Sequence, residues 1–249
     1  MSIIALDVGI SSVKAARWDG AWRAVTRFPA GNVGTDVWAE RLQLLGPTAE
    51  SGIASVVPRL TPVLSEALRS LTGSPPHVVS ARQPLPFRLA YATPETLGTD
   101  RLAAAVAAHS LAEGRPVVAL DAGSAVTTEV VTDEPAYLGG AILPGPDLLR
   151  RALVRDTDQL PDIPWPNQVA AIGDSTRTAI QAGTGVMALD GVHGLLRRTI
   201  DDLGGDALVI ATGGWGPWCA ERIALITRVE PHLVLDGIRQ LAIASGRRG

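Results

Sequence analysis

The chain has one cysteine, Cys219, and one lysine, Lys14. A single cysteine excludes an intrachain disulfide and any cysteine-rich metal site, and it suits a reducing cytoplasm. No apolar run reaches the roughly 20 residues of a membrane-spanning helix, so no membrane partner is expected. The stretch Met1–Gly9 has no basic region ahead of its apolar residues, so no secretory signal is expected either. Charged residues make up only 19%, and the formal net charge of −3 gives no electrostatic case for a nucleic-acid partner. The four histidines (His77, His109, His193 and His232) lack metal-ligand spacing. Positive charge rests almost wholly on arginine, which makes the one retained lysine conspicuous: it lies just after a strand-ending Asp-x-Gly.

What is present is a repeat. Ile3–Gly9 (IIALDVG) recurs as Val117–Gly123 (VVALDAG), an offset of 114 in a chain of 249 residues. Each copy is an aliphatic run ending in Asp, one small or apolar residue, then Gly. Hydroxyl residues follow: Ser11 and Ser12 after the first, Ser124 and Thr127 after the second. Hydrophobic content of 46% suffices for real cores. The repeat favours two modest domains, expected over 1–113 and 114–249. A phosphate-bearing ligand and its metal are expected between them.

Around this repeat the spacing predicts an α/β pattern run twice, strands first and helices after. In the first half, strands are expected at Ile3–Leu6, Ser12–Trp18, Trp22–Phe28, Gly52–Val57 and Val78–Ser80. Helices are expected at Trp38–Leu45, Leu64–Leu71 and Thr99–Ala112. In the second half, strands are expected at Arg115–Leu120, Val126–Val131, Gly139–Leu143 and Ala207–Ala211. A helix is expected at Asp147–Val154, then a proline-rich loop at Leu160–Pro166. Thr176–Leu203 reads as a long helix broken near Gly183–Gly185 and Gly191. Helices at Glu221–Ile226 and Leu235–Ala244 close the chain.

Each candidate motif also has an ordinary explanation. One Asp-x-Gly after a strand is a common turn, with Asp bonding nearby backbone and Gly taking positive φ. Two copies at the same place in two strand-led halves favour a ligand. A carboxylate at a strand's end can hold a hydrated Mg²⁺ that bridges phosphate oxygens. The glycine lets backbone N–H groups approach the phosphates. Gly98-Thr99-Asp100-Arg101 opens the Ala-rich helix. Thr99 as N-cap and Asp100 in the first turn explain two of those residues but not Arg101. Functionally, Asp100 can take a proton from a hydroxyl, and Arg101 can fork onto a carboxylate. Tyr91 stands seven residues upstream of Gly98. Gly139–Gly145 reads as turns around a short strand, or as a backbone wall pressed on a ligand. Ser175-Thr176 reads as a helix cap. Gly213-Gly214 after the last strand can border a nucleotide base.

Together these segments resemble the type III pantothenate kinases of the actin and sugar kinase superfamily. Asp7-Val8-Gly9-Ile10-Ser11-Ser12-Val13-Lys14 is similar to the family's first phosphate motif, Asp-x-Gly-Asn-Thr-x-x-Lys. Ser55–Pro58 is similar to its Ser-Val-Val-Pro segment, and Gly98–Arg101 to its Gly-x-Asp-Arg. Asp121–Thr127 is similar to Asp-Ala-Gly-Thr-Ala-x-Thr, and Gly139–Gly145 to Gly-Gly-x-Ile-x-Pro-Gly. The five segments occur in order over nearly the whole chain. The resemblance implies an α/β fold of two like ribonuclease H-like (actin-like ATPase) domains with a cleft between them. It implies ATP-dependent phosphorylation of pantothenate, the first step toward coenzyme A, in the cytoplasm. It implies Asp100 as general base, with Tyr91, Gly98, Thr99, Asp100, Arg101 and Thr176 touching pantothenate. Asp7, Val8, Gly9, Ile10, Ser11, Ser12, Val13, Lys14 and Ser124 would surround ATP, with Mg²⁺ held by Asp7 through water. Asp121 would hold a monovalent cation, K⁺ or NH₄⁺, in a homodimer.

The chain departs from the family pattern at four kinds of place. Ile10 stands where the family has Asn, Ser11 and Ser124 where it has Thr, Glu129 where it commonly has Asp, and Trp215 where an Asp is usual. The serines keep the hydroxyl. Ile10 offers no polar contact, which feeds a second reading, a non-catalytic binding or regulatory relative of the same fold; a third reading is another phosphotransferase of the superfamily.

Overall fold

The computed structural model describes residues 2–166 and 168–246. In chain order the elements begin with β1 (Ile3–Val8), β2 (Ser12–Trp18), β3 (Trp22–Pro29), α1 (Thr35–Gln43), β4 (Glu50–Ser55) and α2 (Thr61–Thr72). Then come β5 (His77–Val78), β6 (Arg88–Leu89), a short 3₁₀ turn at Pro94–Thr96, and α3 (Thr99–Leu111). There follow β7 (Val117–Ala122), β8 (Ala125–Val131), β9 (Ala136–Gly139), β10 (Ile142–Pro144), α4 (Pro146–Arg155) and α5 (Thr176–Asp202). The chain closes with β11 (Leu208–Thr212), α6 (Gly216–Ala220), β12 (Arg228–Val229) and α7 (Leu233–Gly246).

Contacts group the chain into two compact units. The first holds Met1–Glu113, Pro135–Tyr137 and His232–Gly249; the second holds Gly114–Glu134 and Leu138–Pro231. The last helix, read from sequence as part of 114–249, groups with the first unit instead.

In the first unit the sheet order is β3-β2-β1-β4-β5. The first three strands are an antiparallel meander, and β4 and β5 are added parallel. Ile3, Ile4, Ala5 and Leu6 are all fully buried because β1 is covered on both faces, hence its unbroken apolar sequence. Ile4, Leu6 and Val8 pack with Trp38, Leu42, Leu64 and Leu68 of α1 and α2. The helices α3 and α7 pack against each other, and α7 lies on β1 and β4. That packing depends on small residues. A side chain at Gly237 would run into the backbone of Ala103, and a Cβ at Gly52 would fall 2.8 Å from Ile238. The short β6 pairs parallel with Ala136 and Tyr137.

The second unit repeats the plan. Its strands run β12-β11-β7-β8-β9, with β10 beside β8. Again a hairpin opens the unit, β7 and β8 antiparallel, and two parallel strands follow on the other side of the leading strand. Val118, Leu120, Val209 and Ala211 of the sheet pack with Val192, Leu196 and Ile200 of α5.

Several elements differ from the sequence expectation. The helix α5 is continuous over 27 residues rather than broken at its glycines. Each glycine costs about 1 kcal/mol against alanine, but the buried stripe Ile180, Thr184, Ala188, Val192, Leu196, Ile200 holds the helix on its core. Gly185 is also packed: a Cβ there would sit 2.9 Å from Val169. The helix expected at Glu221–Ile226 lies earlier, at Gly216–Ala220, where Pro217 suits a first helical turn. Ile223 and Ile226 then reach the core from turns. Gly139–Leu143 is not one strand; the chain breaks at Gly139, which takes φ +100°. Among the described residues no helix is long and apolar enough to cross a membrane.

Candidate active site

The first unit brings two motifs to one edge of its sheet. Asp7 stands in register with Lys14 on β2 and with Ala54 on β4. In-register residues on paired strands project to the same face, so the carboxylate and the one lysine are neighbours by construction. Past Val8 the chain turns, with the Gly9 N–H donating to the Ser12 carbonyl at 3.0 Å. The Val56 N–H donates to the Val8 carbonyl at 3.1 Å, which ties the Ser55–Pro58 segment to that turn. Thr99 completes the link. Its hydroxyl donates to the Ser55 carbonyl at 3.0 Å and accepts from the Ser55 N–H at 2.7 Å. The start of α3 is thereby pinned to the carboxyl end of β4, next to the strand that carries Asp7. Sequence reasoning made Thr99 the N-cap. In the structure Gly98 is the N-cap and Thr99 reaches across to β4. The spacing signal could not show this, since the partners are 44 residues apart.

Asp100 is half-buried. Its Oδ1 accepts from the Arg101 N–H at 2.7 Å. A Cβ at Gly98 would fall 2.6 Å from that oxygen, so glycine there leaves room for the carboxylate. Burial pushes the carboxyl above its ordinary range, while the N–H and charge of Arg101 pull the other way. A carboxylate with a raised pKa is a better proton acceptor near neutrality. Arg101 is itself only 8% exposed.

Tyr91 follows β6 and is half-buried, its ring 5.9 Å from that of buried Tyr137. Phe87 stacks on Tyr137 at 5.9 Å, so Tyr91 belongs to an aromatic cluster of the first unit. A cavity of about 460 Å³ opens beside Thr99, lined also by Ser80, Arg82, Glu95 and Leu97.

The turn glycines correct one expectation. Neither Gly9 nor Gly123 takes positive φ. A Cβ would meet nothing closer than 3.4 Å at Gly9 and 3.5 Å at Gly123. The chain's own conformation therefore does not require glycine at either position.

In the second unit Asp121 stands in register with Thr127 on β8 and Thr212 on β11. The turn beyond it is crowded by glycines. A side chain at Gly145 would strike the carbonyls of Gly123 and Ser124, and one at Gly213 would strike the Asp121 carboxylate and the Ala122 carbonyl. Gly213 also takes φ +83°. Gly140 is pressed on the Thr128 backbone. The glycine run 139–145 thus packs against protein backbone, which accounts for it without a ligand. Thr176 is exposed in the first turn of α5, where Ser175 is the cap, accepting from the Thr178 N–H. Glu129 is buried, 1% exposed. Burial pushes the Cys219 thiol up to about 11 against the pull of Arg222, which makes it a poor nucleophile.

The donor set suits a metal that arrives with its ligand. Among the described residues no group of three or more His, Cys, Asp or Glu is gathered to hold an ion. Mg²⁺ needs none: it keeps waters and is held by one or two carboxylates plus phosphate oxygens. Asp7 at the end of β1 fits that role.

Comparison with known proteins bears on this geometry. The family model of type III pantothenate kinase matches residues 3–198. A type III pantothenate kinase of Acidiphilium cryptum is 33% identical over 96% of this chain and 94% of its own. Among solved structures, a Baf family protein from Campylobacter jejuni superposes with a TM-score of 0.64 at 19% identity, covering 98% of this chain and 99% of that one. A ROK hexokinase from Thermus thermophilus superposes with a TM-score of 0.53 at 16% identity, covering 99% and 100%.

Proposed function

The chain belongs to the type III pantothenate kinase family, and from that premise we propose how its residues phosphorylate pantothenate to 4'-phosphopantothenate with ATP, the first step of coenzyme A biosynthesis. The observation that carries the assignment is the two-way bond between Thr99 and Ser55, which sets Asp100 at the sheet edge that bears Asp7 and Lys14. Asp100 accepts the proton of the substrate's primary hydroxyl. The hydroxyl oxygen bonds to the γ-phosphorus as the bond to ADP breaks. Phosphoryl transfer needs positioning and charge neutralisation more than covalent chemistry. Lys14 and the backbone of the Gly9–Ser12 turn supply donors to the phosphates. Mg²⁺, when bound with ATP beside Asp7, spreads the developing charge.

Tyr91, Gly98, Arg101 and Thr176 contact pantothenate in this reading, and Thr99 positions Asp100. Ser124 reaches ATP. Asp121 holds a monovalent cation, supported by the Ala122 carbonyl that crowds Gly213 together with its carboxylate. The working form is a homodimer, supported by apolar side chains left outside the second unit, among them Ile142 at 66% and Met187 at 63% exposure. The single cysteine is in keeping with the cytoplasm.

Asp100→Asn tests the reading. General-base help is worth about 10²–10⁴-fold, so kcat should fall by that factor with the fold intact. The pKa direction adds a second readout. The folded carboxyl titrates above its unfolded value, so its ionisation opposes folding once pH rises through the folded pKa. Asp100→Asn should therefore gain Tm over wild type at pH 8 and lose that advantage toward pH 4. Near-full activity in the variant would overturn the base assignment. Ile10, 79% exposed in the phosphate turn, favours a second reading, a nucleotide-poor binding relative. ADP release from ATP and Mg²⁺, with and without pantothenate, separates the two.

A further inference from the structure

Three strands of the first unit lay a row of charge across one face of the sheet. Asp7 on β1 stands opposite Lys14 on β2, and Lys14 stands opposite Arg27 on β3. Residues directly opposite on antiparallel strands share a face. The next residue along β3 fixes which face that is. Phe28 packs with the core that holds Ile4, Leu6 and Val8, its ring 6.0 Å from that of Trp38. Side chains alternate along a strand, so Arg27 stands on the other face, with Asp7. β3 is the edge strand of its sheet, and Arg27 is exposed.

Arg27 differs from the other arginines of β2 and β3. Arg17 and Arg23 share Asp19, at 3.1 Å and 3.4 Å. Among the described residues no side chain bonds or pairs with the Arg27 guanidinium. Like charges directly opposite on paired strands destabilise a sheet, and this row holds two cations for one carboxylate. An anion laid over the row would offset that cost. The row also has a direction. On its β4 side lies Ser55, where Thr99 pins the start of α3 and with it Asp100. Arg27 is at the opposite end, two strands from Asp7, or about 10 Å at the usual strand spacing.

We propose that Arg27 is a further phosphate-binding residue, and that it holds the phosphate that leaves with ADP, an assignment that rests on the kinase reading. The attacking and leaving oxygens of a phosphoryl transfer stand roughly in line, on opposite sides of the phosphorus. Asp100 puts the attacking hydroxyl at the β4 end of the row, so the leaving diphosphate extends toward β3. Negative charge grows there as the bond breaks, and a fixed cation at that place stabilises it. Lys14 offers a point charge midway along the row. The Arg27 guanidinium offers a planar fork that can take two oxygens of one phosphate. The Asp-x-Gly motif supplies only the lysine; the arginine comes from a strand that the motif does not reach.

The test uses the full chain. Calorimetric titrations with ADP, AMP and a non-hydrolysable ATP analogue, each with Mg²⁺, compare wild type, Arg27→Ala, Arg27→Lys and, as a control on the same strand, Arg23→Ala. Arg27→Ala should bind ADP and the ATP analogue about tenfold more weakly, the lower range for a lost bond to a charged group, and bind AMP unchanged. Arg27→Lys should fall between, since it keeps the charge and loses the fork. Arg23→Ala should bind all three like wild type. In turnover Arg27→Ala should lower kcat and raise KM for ATP, with KM for pantothenate unchanged. Without nucleotide it should melt at or above wild type, because a like-charge neighbour of Lys14 is gone. Where ADP binds too weakly to titrate, its inhibition constant against ATP gives the same comparison. ADP affinity equal to wild type in Arg27→Ala overturns the proposal, as does a loss confined to the ATP analogue, which would put Arg27 on the transferred phosphate. An equal loss for AMP overturns it too. Arg27-dependent ADP binding without pantothenate phosphorylation would uphold the phosphate contact while removing the kinase reading. Pantothenate phosphorylation by wild type, with ADP affinity indifferent to Arg27, would do the reverse.

Discussion

The two Asp-x-Gly hairpins share a plan and differ in chemistry. In the first, pairing ends at Val8 and Val13 and the turn spans Gly9–Ser12; in the second it ends at Ala122 and Val126, and the turn is one residue shorter. Asp7 has Lys14 in register beside it, whereas Asp121 has Thr127. The first turn leaves Ile10 in solvent, while the second is walled by Gly145 and Gly213. A carboxylate beside a lysine shares its field with a fixed cation and favours the phosphates of a ligand. A carboxylate beside a threonine brings no countercharge, and crowded carbonyls around it favour a bound cation. The two units thus share one scaffold, and under the proposed function the residue opposite each Asp separates a phosphate role from a cation role.

The largest effect should come from filling the crowded turn. Gly213→Ala places a side chain at φ +83° and drives it into Asp121 and Ala122. Strain alone at such a position costs about 1–3 kcal/mol, and the collision adds to it. Gly9→Ala meets only a carbonyl at 3.4 Å and should fold normally. Thermal melts of the two variants, beside their KM for ATP, separate the effects. Gly213→Ala should lose both stability and activity, and Gly9→Ala should lose ATP affinity alone. Equal melting of the pair would remove the distinction between a walled and an open turn.

Lys14→Ala comes next. Removing one preorganised donor from developing charge typically costs about 10²–10³ in kcat. Thr127→Val, at the matching place in the second hairpin, should change the rate far less but alter the response to K⁺ against Na⁺. If Lys14→Ala and Thr127→Val slowed the reaction equally, the division of labour between the carboxylates would fail.

The repeat in the sequence announced the doubled architecture because a buried strand must be apolar throughout, and both leading strands are. The same strand order in both units follows from that start. What sequence could not show were contacts between distant small residues. Nothing near Gly237 signals that it presses on Ala103, so the last helix reads as part of the second half. β6 and β12 are two residues each, too short to carry any periodicity. At the candidate site the motif residues were legible as types, and Asp100 was placed by its motif. Its anchor was not, because a threonine before an Asp looks like a cap until its hydroxyl is seen on Ser55. The turn glycines at 9 and 123 read as positive-φ turn residues, yet neither takes positive φ.

The smallest change concerns the residue that most separates this first turn from its family pattern. Ile10 is 79% exposed, so it contributes no core packing and can be replaced without a cavity. Its side chain has no donor for a phosphate oxygen. A hydrogen bond to a charged group is worth about 1.5–3 kcal/mol, and an exposed turn should realise the lower part of that range. Ile10→Asn should therefore lower KM for ATP about tenfold, leave Tm within error, and leave KM for pantothenate unchanged. Steady-state kinetics with varied ATP measure it directly. An unchanged KM would mean that the four-residue turn already meets the phosphates through its backbone, and the open turn would then be as self-sufficient as the walled one.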